Sequence, residues 1–270
     1  PTLRIERPRA LWWNHAHGAR ARRRAGHDPR PEGSAPMAIL SFDIEIADVF
    51  ELAPGEDLDA HAPFHISVAA TQIAGGEERL WLSRGADGRP ASHLDREGAR
   101  ALLDYLAEAQ RQGHRLAAWN GLSFDLRWIG YAAEDMATAR AVAMGLYDPM
   151  YQFFKLKGFP VGLGKVGEGM GIPLTKLMDG ADAPRRWQAG DHDAVCEYVL
   201  GDVRMTTAIV EAIEARREIA WVTSRGTTSR VAVRELRTVE SCLQDPLPDQ
   251  SWMDTPLSDT KFTGWLSTVA

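Results

Sequence analysis

Apolar residues first gather in the run 37–46 (Met-Ala-Ile-Leu-Ser-Phe-Asp-Ile-Glu-Ile), which is rich in β-formers and predicts a buried strand. Side chains two apart share one face of a strand, so Asp43 and Glu45 point one way while Phe42 and Ile44 point into packing. Alternating patterns predict further strands at 65–73 and 78–83, an antiparallel meander with the first. A helical period covers 95–112. The apolar stretch 116–119 then runs into Asn120-Gly121, where the chain should turn and Ser123 is placed to cap a helix starting near Phe124. Short helices with glycine breaks are expected over 147–178, with 161–171 as one helix closed by a glycine, followed by a long helix over 193–217. Beyond Ile219 the pattern predicts a hairpin over 221–233 around Arg225-Gly226. A tail with little regular structure follows, its tryptophans expected to pack on the body. The polar segment 48–63 is long for a link between sheet neighbours, which suggests a loop bordering a ligand.

These elements give an α/β domain, and they aim four acids at one place. Asp43 and Glu45 share a strand face. Asp125 falls in the first turn of a helix, at the carboxyl edge of a strand, where sites in open α/β sheets collect. Tyr198 and Asp202, four apart on the long helix, project from one side of it. Each piece alone is commonplace: an Asp-x-Glu on a strand, an Asn-Gly turn, a Tyr-x-x-x-Asp pair on a helix face. Together, in this order, they carry a signal. An acid pair in an apolar strand is costly to bury without counter-charge. Four converging carboxylates with no basic partner call for divalent cations. An all-oxygen donor set suits two hard cations, the equipment for cutting a phosphodiester.

As a set, these residues resemble the DEDD, or DnaQ-like, 3′–5′ exonucleases of the ribonuclease H-like superfamily. Phe42-Asp43-Ile44-Glu45 is similar to the first motif of that family, Asn120 through Asp125 to the second and Tyr198 through Asp202 to the third. The likeness covers roughly 37–217 and is nearest to the proofreading exonuclease of B-family DNA polymerases and its stand-alone relatives. Two subtypes differ in the third motif: a tyrosine four residues before the last aspartate, or a histidine five before it. Tyr198 fills the first slot and Glu197 occupies the second, while His192 lies too far upstream, so the tyrosine subtype is indicated.

The resemblance implies a ribonuclease H-like fold, whose mixed central sheet has a meander of three strands followed by parallel strands, flanked by helices. It implies two Mg²⁺ or Mn²⁺ ions, with Asp43 bridging them, Glu45 and Asp202 completing one site and Asp125 organising the other. Tyr198 would orient the attacking water, since a phenol near pKa 10 is a poor base unaided. Ile44, Asn120 and Phe124 are the candidates to hold the terminal nucleotide. The implied reaction releases nucleoside 5′-monophosphates from single-stranded 3′ ends. DNA is favoured over RNA as the partner, in a repair or proofreading setting. An RNA-trimming exonuclease and a non-catalytic nucleic-acid-binding module on the same fold are the alternatives.

Composition narrows the picture. A chain of 270 residues has room for one substantial domain with appendages, here an exonuclease domain over 37–218 and a hairpin with an irregular tail over 219–270. No 18-residue apolar run is present to cross a membrane. The two cysteines, Cys196 and Cys242, give no disulfide framework and fit a reducing cytoplasm. The chain carries 31 basic and 37 acidic residues; residues 1–36 hold eight arginines and three acids, which leaves 23 basic against 34 acidic residues for the rest. Residues 1–36 are expected to be disordered, and to be an extension upstream of a start at Met37 rather than a basic nucleic-acid arm.

An acidic body argues against a broad electrostatic grip on nucleic acid, so a local basic edge is required. Lys155, Lys157 and Lys165, interleaved with Tyr151, Phe153, Phe154 and Phe159, are the candidates for it, because cations among aromatics suit stacking on single-stranded bases. Arg185-Arg186-Trp187 reads instead as a loop anchored by its tryptophan.

Overall fold

The structure is a computed structural model that describes residues 38–53, 56–174 and 177–267. The expectations for 1–36 fall outside the described residues. Three strands form the expected meander: β1 (Ile39–Ile46), β2 (Ile66–Ile73) and β3 (Glu78–Trp81), each antiparallel to the next. A short strand β4 (Arg115–Ala117) lies parallel to β1 on its other side, giving the order β3-β2-β1-β4. The fold is therefore α/β with a mixed sheet. Where further parallel strands were expected, one residue, Tyr147, makes a single parallel bridge to Ala117. The reason is local. Asp148 caps a helix with Pro149 in its first turn, so the chain leaves the sheet after one bridge.

The two faces of β1 do different work. Phe42 and Ile44 are buried in the main core, with Leu102, Leu103 and Leu106 of helix α1 (Arg96–Arg111) and with Leu126 and Ile129 of α2 (Asp125–Ala132). On the opposite face, Asp43 and Glu45 pair in register with Ala70 and Val68. Those two pack on Tyr198, Val199 and Val203 of the long helix here called α7 (His192–Arg216). One helix thus covers the acidic face of the central strand.

Between these come α3 (Met136–Met144), α4 (Pro149–Lys157), α5 (Leu163–Met170) and α6 (Ala183–Gln188). Helix α5 ends at Gly171 in the left-handed region, as the pattern predicted. Arg185-Arg186-Trp187 lies in α6 rather than in a loop. Its tryptophan is the expected anchor: it is fully buried, and Nε1 donates to the carbonyls of Ala91 and Ser92.

The hairpin is β5 (Glu218–Val222) and β6 (Thr228–Ala232), packed against α5. The tail is more regular than expected, with α8 (Val239–Leu243) and α9 (Thr260–Ser267). Trp265 packs into the core, whereas Trp252 is exposed. Among the described residues no helix is long and apolar enough to cross a membrane.

The turn between β4 and α2 has the most demanding backbone. Asn120 sits at φ 70°, which an asparagine tolerates better than most residues. A Cβ on Gly121 would lie 2.4 Å from that of Ala118, so only glycine fits there. The expected cap at Ser123 is not made: its hydroxyl donates to Asn120 Oδ1 at 2.6 Å, and α2 has no side-chain cap.

What holds this turn is Asp148, which is fully buried. Its Oδ1 accepts from the N–H groups of Asn120, Met150 and Tyr151, and its Oδ2 from Leu122 N–H at 3.0 Å. Burial pushes this carboxyl up to about 6, against the pull of its four N–H donors. Asp148→Ala strands these donors in a dry site. The expected loss is about 3 kcal/mol or more, read from urea unfolding, while Asp148→Asn, which keeps one acceptor oxygen, is expected to lose less.

Candidate metal centre

Three elements deliver the acids. β1 carries Asp43 and Glu45, the turn after β4 delivers Asp125 to the start of α2, and α7 carries Tyr198 and Asp202. Asp43, Glu45 and Asp202 each offer a carboxylate oxygen, and these oxygens lie within 4.8 Å of one another. Three oxygens around one Mg²⁺ at about 2.1 Å stand no more than about 4.2 Å apart, so the triad is close to ligand spacing. Glu45 and Asp202 are buried and Asp43 is half-buried. All donors are carboxylate oxygens, which fits Mg²⁺, Mn²⁺ or Ca²⁺ and fits poorly with metals that seek imidazole or thiolate.

Asp125 stands just behind this triad. It is buried, its Oδ1 accepts from Ile44 N–H at 3.0 Å, and its carboxyl is hydrogen-bonded to Asp43. Two carboxyl groups can share such a bond only if one keeps a proton. Burial, aided by the nearby Asp148 and opposed by backbone N–H donors and by the hydrogen bond to Asp43, lifts Asp125 to about 7. Tyr198 hydrogen-bonds Asp202 one helical turn on. Burial and then the charges of Glu45, Asp202 and Asp43 push its phenol far above the ordinary value. At neutral pH it remains a proton donor.

The carboxylates open on a cavity of about 680 Å³, within the range of roughly 300–1,000 Å³ typical of small-ligand sites. One wall is apolar, with Ile46, Phe50, Leu52, Leu58 and Phe124, and much of it comes from the long loop after β1, as its length suggested. Asn120 lines the cavity beside Trp119. Ile44 also borders it, although its side chain is mostly core. The far wall is Gly180-Ala181 with Pro184 and Arg185. A Cβ on Gly180 would sit 3.4 Å from the Tyr198 hydroxyl, so this strip crosses directly over the phenol.

The expected basic edge is not at this cavity. Lys155 has a side chain only 2% exposed, and its Nζ pairs with Asp259 at 3.2 Å. Asp259 also accepts from Tyr151 Oη at 2.9 Å. Phe153 and Phe154 are fully buried, so α4 is a core helix clasped by the tail and offers no stacking platform. Lys165 is on the surface of α5, 3.7 Å from Glu168, and does not line the cavity. The cation that does line it, Arg185, was legible only as a neighbour of the buried Trp187.

Two outcomes are expected from the protonated Asp125. Between pH 4 and 7 the fold holds a proton that the unfolded chain has lost, so metal-free stability falls as pH rises through that window. Asp125→Asn, which keeps the oxygen facing Ile44 N–H, should flatten part of the slope in urea midpoints measured against pH. Mn²⁺ binding at pH 6 should release about one proton per chain. Calorimetric heats that shift with the buffer's ionisation enthalpy would reveal it, and Asp43→Asn should abolish the binding.

No protein-family model matches this chain and no curated protein matches its sequence, so the reading of the site rests on its geometry and chemistry.

Proposed function

We propose that the protein is a metal-dependent 3′–5′ exonuclease of the DEDD type, tyrosine subtype, on a ribonuclease H-like fold, which trims single-stranded 3′ ends to nucleoside 5′-monophosphates. The observation that carries this reading is the meeting of Asp43, Glu45 and Asp202 within 4.8 Å, with Asp125 hydrogen-bonded to Asp43 and all four lining one cavity. The fold-family part is supported by the central place of β1 in the mixed sheet and by α7 lying across its acidic face. DNA is favoured over RNA on the likeness of the motifs to polymerase proofreading domains.

Asp43, Glu45, Asp125 and Asp202 would hold a pair of divalent cations, which would supply a more acidic water and charge stabilisation for an in-line displacement. The protein's own groups do the positioning. Tyr198 keeps its proton, so its O–H serves as a donor that orients a water or a phosphate oxygen rather than as a base. Its bond to Asp202 fixes the ring. Asn120, in its strained turn, and Phe124 with Phe50 shape the end of the cavity that takes the terminal sugar and base, and the two phenylalanine rings exclude water there.

A 5′-labelled single strand is expected to shorten stepwise from its 3′ end in Mg²⁺ or Mn²⁺ and to stay intact in EDTA. Asp43→Ala should lower the rate by at least about 10²-fold, and Tyr198→Phe, which keeps the ring, by less. An Asp43→Ala protein that degrades DNA as well as the parent excludes this assignment. Matched RNA strands test the sugar preference, and intact circular single strands separate an exonuclease from an endonuclease.

A further inference from the structure

We infer that Arg185 is the phosphate-binding cation of the cavity and sets its affinity for the anionic end of a strand; this rests on the function proposed above. Charge decides the matter. Six carboxyl groups line the cavity: the cluster of Asp43, Glu45, Asp125 and Asp202, with Asp48 and Glu51 on the loop after β1. A phosphodiester that enters brings a further negative charge. In a half-enclosed site that charge is costly unless a cation faces it. Arg185 is the basic residue that lines this cavity among the described residues.

Its surroundings suit the task. Arg127 and Lys261 are engaged with Asp59 and Asp57, which flank the cavity-lining Leu58, at 2.8 Å each. Arg186, next in the chain, turns to Asp191 at 3.1 Å. Arg185 pairs with no carboxylate among the described residues. Its Nη1 reaches only the Ala181 carbonyl, at 3.5 Å. That contact lays the guanidinium along the Gly180-Ala181 strip, the wall that crosses the Tyr198 hydroxyl.

The helix beneath is firmly seated. Ala183, Pro184 and Trp187 are buried, and the indole N–H is bonded to two backbone carbonyls. A long side chain on a fixed base, lining the cavity and without a carboxylate partner among the described residues, suits the forked geometry with which arginine takes a phosphate.

The test uses the full chain with Mn²⁺, a 12-nucleotide DNA strand and thymidine 5′-monophosphate as a turnover-independent probe. Arg185→Ala should raise KM about tenfold, with a smaller effect on kcat, and should weaken monophosphate binding by a similar factor. The slope of log KM against log salt should fall by about 0.7, the loss of one phosphate contact on a single strand. Arg185→Lys, which keeps the charge but not the fork, should restore only part of the affinity, and Arg185→Glu should lose more than the alanine variant.

Unchanged KM, salt slope and monophosphate affinity in Arg185→Ala would overturn the inference even if the parent cuts DNA. So would a fall in kcat at constant KM. A parent that binds the monophosphate through Arg185 without cutting strands would leave the inference standing and remove the exonuclease reading. A parent that does neither removes both.

Discussion

Carboxylates that converge on one point repel each other unless a proton or a cation stands among them. The site in this protein is organised around that constraint. Asp43, Glu45 and Asp202 approach to ligand distance because the pleat of β1 and the turn of α7 leave them no other direction. Moving the pairing of β1 by one residue would put Phe42 and Ile44 under α7 and drive both acids into the apolar core, which the burial of those two side chains forbids. The hydrophobic packing of one face thus enforces the electrostatic crowding of the other. Burial raises the Asp125 carboxyl to about 7, and its hydrogen bond to Asp43 links the acid of the turn to one on the strand. A divalent cation would offset the same repulsion more completely.

The turn from Trp119 to Phe124 shows the same economy in the backbone. Asn120 at φ 70° and the crowded Gly121 are unfavourable in isolation. Asp148, whose oxygens gather donors from two chain segments, overcomes the strain, and Trp265 Nε1 adds a bond to the Leu122 carbonyl at 2.8 Å. Asp125 reaches the acid cluster because this turn is rigid. A flexible turn would let a buried carboxyl retreat towards solvent, which its desolvation favours.

Much of this was legible in the sequence, and the reasons differ by residue. Strand β1, the meander, the motif helix α7 and the hairpin follow from apolar periodicity, which survives tertiary context because each element buries one face. The acid set was legible because period 2 on a strand and spacing 4 on a helix fix direction as well as position. Lys155 misled for the opposite reason. A lysine among aromatics reads alike on a binding edge and in a core helix, and only Asp259, 104 residues away, decides between them.

Asp148-Pro149 announced a helix start, yet nothing local revealed that the same carboxylate reaches back to Asn120 and Leu122. Arg185 was hidden similarly, since its wall becomes a wall only when α6 is docked by Trp187. Local signals give elements and facing; long-range partners of single polar groups are left to the fold.

The C-terminal tail belongs to the pocket's foundations, and magnitudes identify which of its contacts matter. Lys261 pairs with Asp57 on the loop that rims the cavity, but both side chains are about half exposed, so the pair contributes little. Asp259 is different, because it neutralises Lys155 inside the protein and takes the Tyr151 hydroxyl as well. Without that carboxylate, α4, the helix that Asp148 caps, would carry a buried and unpaired ammonium. Trp265 and Phe262 are buried, worth roughly 1.5–3 kcal/mol for a side chain of Phe size alone. The indole also holds the back of the Asn120 turn. The apolar and buried-charge contacts therefore fix the tail to the body, and the surface pairs only set its register. An acidic cluster formed from three distant stretches of chain keeps its geometry because a fourth stretch, bearing none of the chemistry, braces it from behind.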